Sequence, residues 1–162
     1  MKRLPTLVWN EYTIREATPD DIETILSHRR SMFLDMGRKD DQVLAESMKT
    51  SRVYFSEQLR NGRYRAWFAE REPGEVIAGA GVITFDYPPS PRDPSPRRPM
   101  VVNVYTNRAH RRKGIARKLM EIIIDRCRAE GFRSIMLHAS DDGRPLYDSL
   151  GFEPTNEMRM ML

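Results

Sequence analysis

The sequence concentrates positive charge in one stretch, residues 108–118, which reads RAHRRKGIARK. Six cations lie within it, whereas the whole chain of 162 residues has a formal net charge of +4. These cations are Arg108, Arg111, Arg112, Lys113, Arg117 and Lys118. The stretch joins a predicted strand to a predicted helix, and the amides of a helix start are unpaired and lie at the positive end of the helix dipole. Gly114 places no side chain between the backbone and a ligand. These features predict an anion site suited to a diphosphate, with a solvated basic helix start as the alternative.

The basic stretch lacks the two most common phosphate-binding motifs. It contains no Gly-x-x-x-x-Gly-Lys-Ser/Thr loop and no Gly-x-Gly-x-x-Gly fingerprint. A nucleic-acid-binding module is a second alternative, but the net charge is small and acids are scattered near the basic stretch. These acids are Glu121, Asp125, Asp141 and Asp142.

The elements that would position the basic stretch follow from the spacing of apolar residues. Alternating or β-branched patterns predict strands at residues 12–16, 64–71, 76–85, 100–106, 134–138 and 157–162. Helical spacing predicts one helix that starts after Thr18 and ends at Gly37, and others at residues 41–59, 114–130 and 141–150. The mostly apolar face of the first helix also carries Arg29. This order predicts an α/β fold, a mixed α+β sheet with helices packed on it.

The remaining sequence features bound the class of protein. Length predicts one domain over residues 1–162, in which residues 87–99 hold six of the 11 prolines and form a proline-rich surface loop. The only cysteine, Cys127, excludes an internal disulfide and a zinc cluster, and its place on an apolar helix stripe favours core packing over nucleophilic chemistry. With no signal peptide and no membrane span in the sequence, we expect a cytoplasmic protein.

Four segments carry a resemblance to a known family. The run RRKGIA at residues 111–116 fits the pattern Gln/Arg-x-x-Gly-x-Gly/Ala, and it follows the strand VVNVYT and opens a long helix. The run LYDSLGF at residues 146–152 fits the pattern Leu-Tyr-x-x-x-Gly-Phe. In these segments the chain resembles the GNAT superfamily of N-acetyltransferases. The resemblance is sharp over residues 100–153 and rests on element order alone over residues 12–85.

The resemblance implies a fold and a cofactor site. The fold would be a central mixed sheet whose fourth and fifth strands splay apart, flanked by about four helices, with acetyl-CoA bound at the splay. The amide of Val104 would contact the thioester carbonyl, and the backbone of Thr106 would contact the pantetheine arm. The pyrophosphate would be held by Arg111, Arg112, Lys113, Gly114, Ile115 and Ala116.

The resemblance also implies a reaction, in which a primary amine attacks acetyl-CoA directly with no acyl-enzyme and no metal. Tyr147 matches the family's general acid, which protonates the departing thiolate. Packing of the short helix onto the sheet is the alternative role for this residue. A non-catalytic CoA sensor on the same fold is the alternative function.

The acceptor side is less well defined by the sequence. Candidates for the general base are Asp35, Glu46, His138 and Glu157, of which Glu157 begins the last predicted strand. Asp35 is also the predicted contact for a cationic amine, which would be a small molecule or a peptide. Arg108 stands where many family members have proline, and Ser140 and Asp141 stand where many have an asparagine. The proline-rich loop could serve as a lid or as a contact in a homodimer; no nucleic-acid or membrane partner is expected.

Overall fold

The structure is a computed structural model that describes residues 6–161. Its six strands are β1 (Leu7–Trp9), β2 (Tyr12–Glu16), β3 (Tyr64–Glu70), β4 (Val76–Asp86), β5 (Arg97–Thr106) and β6 (Met136–Leu137). Its four α-helices are α1 (Ile22–Asp35), α2 (Asp41–Arg60), α3 (Ile115–Ala129) and α4 (Arg144–Ser149). The strands form one sheet in the order β1 to β6, in which only the β5–β6 pair is parallel.

The sheet is covered on both faces, so its central strands are buried on both sides. In β3, Tyr64 and Phe68 face one core under α1 and α2, whereas the alternate residue Trp67 faces a second core under α3. This two-sided burial explains why β3 has few polar positions, although antiparallel strands often keep one wet face. Among the described residues, no helix combines the length and the apolar character needed to span a membrane.

A β-bulge in β5 shapes the sheet next to the basic stretch. Gly79 of β4 pairs with Tyr105 and Gly81 pairs with Val102, so one residue of β4 faces two residues of β5, Asn103 and Val104. Asn103 has a φ of 58°, a left-handed conformation that asparagine tolerates better than most residues. Two glycines of β4, Gly79 and Gly81, therefore flank the position at which the pairing shifts.

The bulge lies where β5 separates from β6. The two strands pair only at Met100–Met136 and Val101–Leu137, and the rest of β5 has no partner on that side among the described strands. The predicted splay between the fourth and fifth strands of the sequence, which are β5 and β6, is therefore present. It leaves the backbone of Val104 and Thr106 beyond the paired segment.

Four boundaries differ from the sequence prediction. The strand β1 was missed because its three residues, Leu7–Trp9, are all apolar and too few to show the alternation typical of a strand. Strand β5 begins at Arg97 and includes Pro99, so the irregular loop covers only residues 87–96. Pro99 fits in the strand because the amide of Thr84 opposite it donates to Arg63 on the β3 side, which leaves no ladder bond for the proline to break. Strand β6 and helix α4 are shorter than predicted.

The predicted last strand at residues 157–162 is wrong over the described residues 157–161. These residues form no strand, and the side chains of Met158, Met160 and Met161 are exposed; Leu162 lies outside the described residues. The alternating pattern supplies an apolar face, but a strand also needs a partner. The two paired residues of β6 offer only a very short edge for such pairing.

Candidate active site

The start of α3 presents backbone amides for which residues 6–161 provide no acceptor. Gly114 is the N-cap residue with a φ of 80°, and it has no side chain to cap the helix. The first bond of the helix runs from the Lys118 amide to the Gly114 carbonyl at 3.0 Å, which leaves the amides of Ile115, Ala116 and Arg117 without a helical acceptor. A Cβ at Gly114 would only touch Trp9 at 3.6 Å, so its backbone conformation rather than space favours glycine. This arrangement fits an anionic group.

The six cations of the basic stretch differ in their partners. Arg108 and Arg111 both pair with Asp35, and Lys113 lies 3.7 Å from Glu11. Arg117 donates to the Ser149 hydroxyl at 2.6 Å and so ties α3 to α4. Two cations, Arg112 and Lys118, bond to no other residue in the described part of the chain. These two side chains and the α3 amides are the groups free to bind phosphate.

Asp35 ends α1 and is held by the arginines of the basic stretch. Its Oδ1 lies 2.5 Å from Arg108 Nη2, and its Oδ2 pairs with Arg111. Partial burial opposes ionisation, but the hydrogen bonds from Arg108 and Arg111 outweigh it and lower the pKa of Asp35. The carboxylate is therefore ionised, and its negative charge is balanced by the two arginines. Contact between Asp35 and an amine stays a prediction, and it would require these ion pairs to open.

Val104 belongs to the bulge and Thr106 follows it, on the part of β5 that has no partner on the β6 side among the described strands. Val104 packs against the core under α3, which also contains Ile115 and Tyr147. The carbonyl of Thr106 accepts from Arg111 Nε at 3.0 Å. The Thr106 hydroxyl is buried and has no hydrogen-bond partner among residues 6–161. An orphaned buried hydroxyl beside the splay fits a polar ligand such as the pantetheine arm.

Tyr147 projects from α4 into the same core. A Cβ at residue 143 would lie 2.7 Å from the Tyr147 ring, so Gly143 makes room for it. The ring packs edge-to-face on Phe152, with centroids 6.0 Å apart. Burial raises the pKa of Tyr147, so its hydroxyl keeps its proton at neutral pH. It is therefore a group that can donate a proton from a position near the splay.

Three of the four candidate bases, Glu46, His138 and Glu157, lie on the surface. His138 follows β6 directly, and its Nε2 lies 3.6 Å from Glu157 Oε1, with both side chains about half exposed. Glu46 lies on exposed α2 surface and pairs with Lys49 at 3.3 Å. The structure thus brings His138 and Glu157 together and keeps Glu46 on a separate helix. Their catalytic roles stay predictions.

Cys127 has no role in this site. It lies on the buried face of α3, and burial raises the pKa of its thiol to about 11. A thiol that stays protonated at neutral pH is a poor nucleophile. In the described part of the chain, no group of three or more His, Cys, Asp or Glu side chains is placed to hold a metal ion.

A polar cluster under α1 was missed by the sequence analysis. The Asn103 amide accepts from Arg29 Nη1 at 2.7 Å and donates to the Tyr64 hydroxyl at 3.1 Å. Arg29 Nε also donates to the Ser51 hydroxyl at 3.1 Å. A Cβ at Gly81 would collide with the Tyr64 hydroxyl, so the glycine lets this hydroxyl reach Asn103. Two sequence signals pointed here: a charged residue on the apolar face of α1 and an asparagine within a β-branched strand.

Burial shifts the pKa of each titratable group in this region. It lowers the pKa of Arg29 and raises the pKa of Tyr64 to about 12. Next to the cluster, burial lowers the pKa of His28 to about 4, against a bond to the backbone of Val76 that partly offsets the effect. At neutral pH the region therefore contains a neutral histidine, a neutral phenol and a charged guanidinium.

Comparison with known proteins gives one family match and many structural matches. The model of the Acetyltransferase (GNAT) family matches residues 10–152. A GCN5-related N-acetyltransferase from Ralstonia eutropha JMP134 is 32% identical with a TM-score of 0.87, over 93% of this chain and 98% of that chain. A predicted acetyltransferase from Clostridium acetobutylicum, whose crystal structure contains acetyl-CoA, is 28% identical with a TM-score of 0.86, over 93% and 96% of the two chains. The search of curated protein sequences found no match.

Proposed function

Because the chain belongs to the GNAT family of acetyltransferases, we propose that it transfers the acetyl group of acetyl-CoA to a primary amine that attacks directly. Family membership and the similar structures confirm the predicted fold, a GNAT-like mixed sheet flanked by four helices. The observation that carries the proposal is the uncapped start of α3 beside the splay. There, the eight residues 107–114 join the free amides to the orphaned hydroxyl of Thr106.

The residues present fit acetyl-CoA, which supplies the acetyl group as a thioester. We assign the pyrophosphate to the amides of Ile115 and Ala116 and to the free cations Arg112 and Lys118. We assign the arm of the cofactor to the backbone of Val104 and to Thr106. The amides and cations at the start of α3 suit the phosphates of acetyl-CoA, which are anionic. The single hydroxyl of Thr106, at the end of β5, suits the neutral amide groups of its pantetheine arm.

Direct transfer is supported by the state of the side chains. The only thiol, that of Cys127, is buried and protonated, so it is unsuited to forming an acyl-enzyme. In the proposed step the nitrogen–carbon bond forms as the carbon–sulfur bond breaks, and the amide of Val104 stabilises negative charge on the carbonyl oxygen. Tyr147 gives its proton to the sulfur. The amine gives a proton to Glu157, directly or through water.

The test compares two substitutions of Gly114 that cause the same backbone strain. Gly114→Ala and Gly114→Glu each force an L side chain to a φ of 80°, which costs about 1–2 kcal/mol of folding stability. Acetyl-CoA should raise the melting temperature of the wild type and of Gly114→Ala. It should have little effect on Gly114→Glu, because the added carboxylate repels the pyrophosphate.

Release of free CoA thiol is then followed with a panel of amines. The proposal expects release that depends on an amine. The absence of a thermal shift with millimolar acetyl-CoA contradicts the proposal. A shift without CoA release from any amine would instead identify a CoA-binding protein that is not an enzyme.

A further inference from the structure

Arg29 is a half-buried cation that has only neutral partners. Its Nε donates to the hydroxyl of Ser51 and its Nη1 to the side-chain oxygen of Asn103. Its guanidinium carbon lies 4.7 Å from the centre of the Phe33 ring and 5.3 Å from that of Phe55. No carboxylate within residues 6–161 forms an ion pair with it. Charges that are withdrawn from water in proteins are usually paired with an opposite charge, so a half-buried guanidinium with neutral partners is unusual.

One donor group of the guanidinium, Nη2, is not used within the described part of the protein. Its Nη2 makes no hydrogen bond to any described residue, yet it is not among the buried atoms that are sealed from solvent. The Nε and Nη1 bonds, together with two aromatic rings, hold the planar group in one orientation. A fixed, charged and solvent-accessible donor binds an anion at little further entropic cost.

The position of Arg29 relates it to the acceptor rather than to acetyl-CoA. Its partner Asn103 lies under α1, on the opposite face of the sheet from α3, whose start holds the proposed phosphate site. Asn103 immediately precedes Val104, the residue assigned to the carbonyl oxygen. The guanidinium is therefore bonded to the neighbour of the residue to which we assign the carbonyl oxygen, on the face of the sheet opposite the proposed phosphate site.

The charge of this face favours an anionic group on the acceptor. Asp35, the acid of α1 nearest to the basic stretch, is already neutralised by Arg108 and Arg111. Of the other acids on α1 and α2, Glu23 pairs with Arg52, Asp41 with Arg30 and Glu46 with Lys49. Glu57, near the end of α2, is exposed and forms no ion pair with a described residue. Arg29 is thus a charge partly withdrawn from solvent on this face for which the described residues provide no counter-ion.

We propose that Arg29 binds a carboxylate of the acceptor, so that the enzyme acts on amines that also carry a carboxylate, of which amino acids are the simplest. This inference rests on the function proposed above. A carboxylate is favoured because its two oxygens lie in one plane and match a planar guanidinium. Burial of the pair under α1 would strengthen the interaction, since solvent screens it less than at the surface.

The experiment measures kcat/KM for CoA release with matched pairs of amines that differ only in the carboxylate. Suitable pairs are phenylalanine with phenethylamine, lysine with cadaverine, and an amino acid with its amide. The variants are Arg29→Gln, Arg29→Lys and, as a matched control, Arg30→Gln. Arg30 is the next residue of α1, is exposed, and pairs with Asp41 at 3.2 Å.

The wild type and Arg30→Gln should prefer the carboxylated member of a pair by at least about tenfold, the effect of one charged hydrogen-bonding contact. Arg29→Gln should abolish the preference. Arg29→Lys, which keeps the charge and is the less disruptive change, should retain a reduced preference. The thermal shift with acetyl-CoA should persist in all four proteins and shows that each is folded.

Three results overturn the inference while leaving acetyl transfer intact. The first is equal kcat/KM within the pairs for the wild type, which needs no variant. The second is a preference that survives in Arg29→Gln, or an equal loss for both members of each pair, which would mark Arg29 as a structural support for the bulge. The third is a stronger preference for amino sugar phosphates. Failure of the proposed function looks different: the wild type would show neither an acetyl-CoA shift nor CoA release, and both proposals would fall.

Discussion

The start of α3 and the cluster under α1 are two polar regions built in opposite ways. The first is one contiguous stretch whose binding groups are backbone amides and exposed cations. The second brings together Arg29, Ser51, Tyr64 and Asn103 from four elements, and its longest hydrogen bond in sequence joins residues 74 positions apart. A backbone site needs only a local conformation, whereas a side-chain site needs the whole fold to place its members.

The two regions also differ in how much each side chain contributes to the free energy of unfolding. Arg108 is 76% exposed, and ion pairs at such positions contribute about 0–1 kcal/mol. The side chain of Asn103 is 5% exposed and bonds to two buried groups. Substitutions under α1 should therefore disturb folding, and substitutions at the start of α3 should disturb ligand binding.

The largest effect on stability is expected for Asn103→Ala. Alanine tolerates the left-handed backbone poorly, and its short side chain leaves Arg29 Nη1 and the Tyr64 hydroxyl without a partner, which together cost about 3–5 kcal/mol. Asn107→Ala is the control, since Asn107 is exposed and caps a single turn through one bond to Ala109 at 3.1 Å. Urea unfolding of both variants measures the difference. Equal losses of about 1 kcal/mol would remove the contrast between the regions.

The next largest effect is the loss of folding stability in acid that we expect from His28. Because burial lowers its pKa from the ordinary 6.5 to about 4, the unfolded chain binds a proton between these values and the folded chain does not. The stability from neutral His28 is complete above about pH 6.5 and lost as the pH falls to about 4, up to about 3 kcal/mol in all.

His28→Gln should remove this part of the acid sensitivity, and His138→Gln, at an exposed position, should leave it unchanged. Unfolding free energies at a series of pH values between 4 and 7 measure the effect. A wild-type curve parallel to that of His28→Gln would show that the imidazole titrates equally in both states.

The smallest expected free-energy effect, and the one confined to chemistry, is that of Tyr147→Phe. Loss of the proton donor should lower kcat by roughly a hundredfold, the lower end for general acids, while the acetyl-CoA thermal shift stays the same. The phenyl ring keeps the packing on Phe152. Tyr54→Phe, on the exposed face of α2, is the control. An unchanged kcat would reduce Tyr147 to a packing residue, and the proton would then come from solvent.

The same two regions differ in how far their sequence predicts them. The α3 start could be predicted because glycine, a cation run and a strand–helix boundary are all local signals. The cluster under α1 could not, because the sequence shows Arg29 on an apolar face without showing that Ser51 and Asn103 meet it there. The ion pairs of Asp35 were missed for the same reason.

The wrong last strand shows a limit of a different kind. The apolar residues of the segment 157–162 recur every second position. This alternation predicts which side chains would share a face, but it does not show that a partner strand is present. The structure offers this segment only the short β6 as an edge. Conversely, Pro99 lies in a strand because Thr84 directs its amide to the opposite neighbour, a pairing that the sequence does not reveal.

The ion pairs at the end of α1 have a consequence for salt. Asp35 occupies the last turn of that helix, where a negative charge opposes the helix dipole, and Arg108 and Arg111 of the basic stretch compensate it. At an ionic strength of 1 M the screening length falls to about 3 Å, and this compensation weakens. The last turn of α1 should then fray and exchange its amide hydrogens faster. Ionic strength would thereby couple the order of α1, the helix of the proposed acceptor contact, to the basic stretch proposed to bind the pyrophosphate.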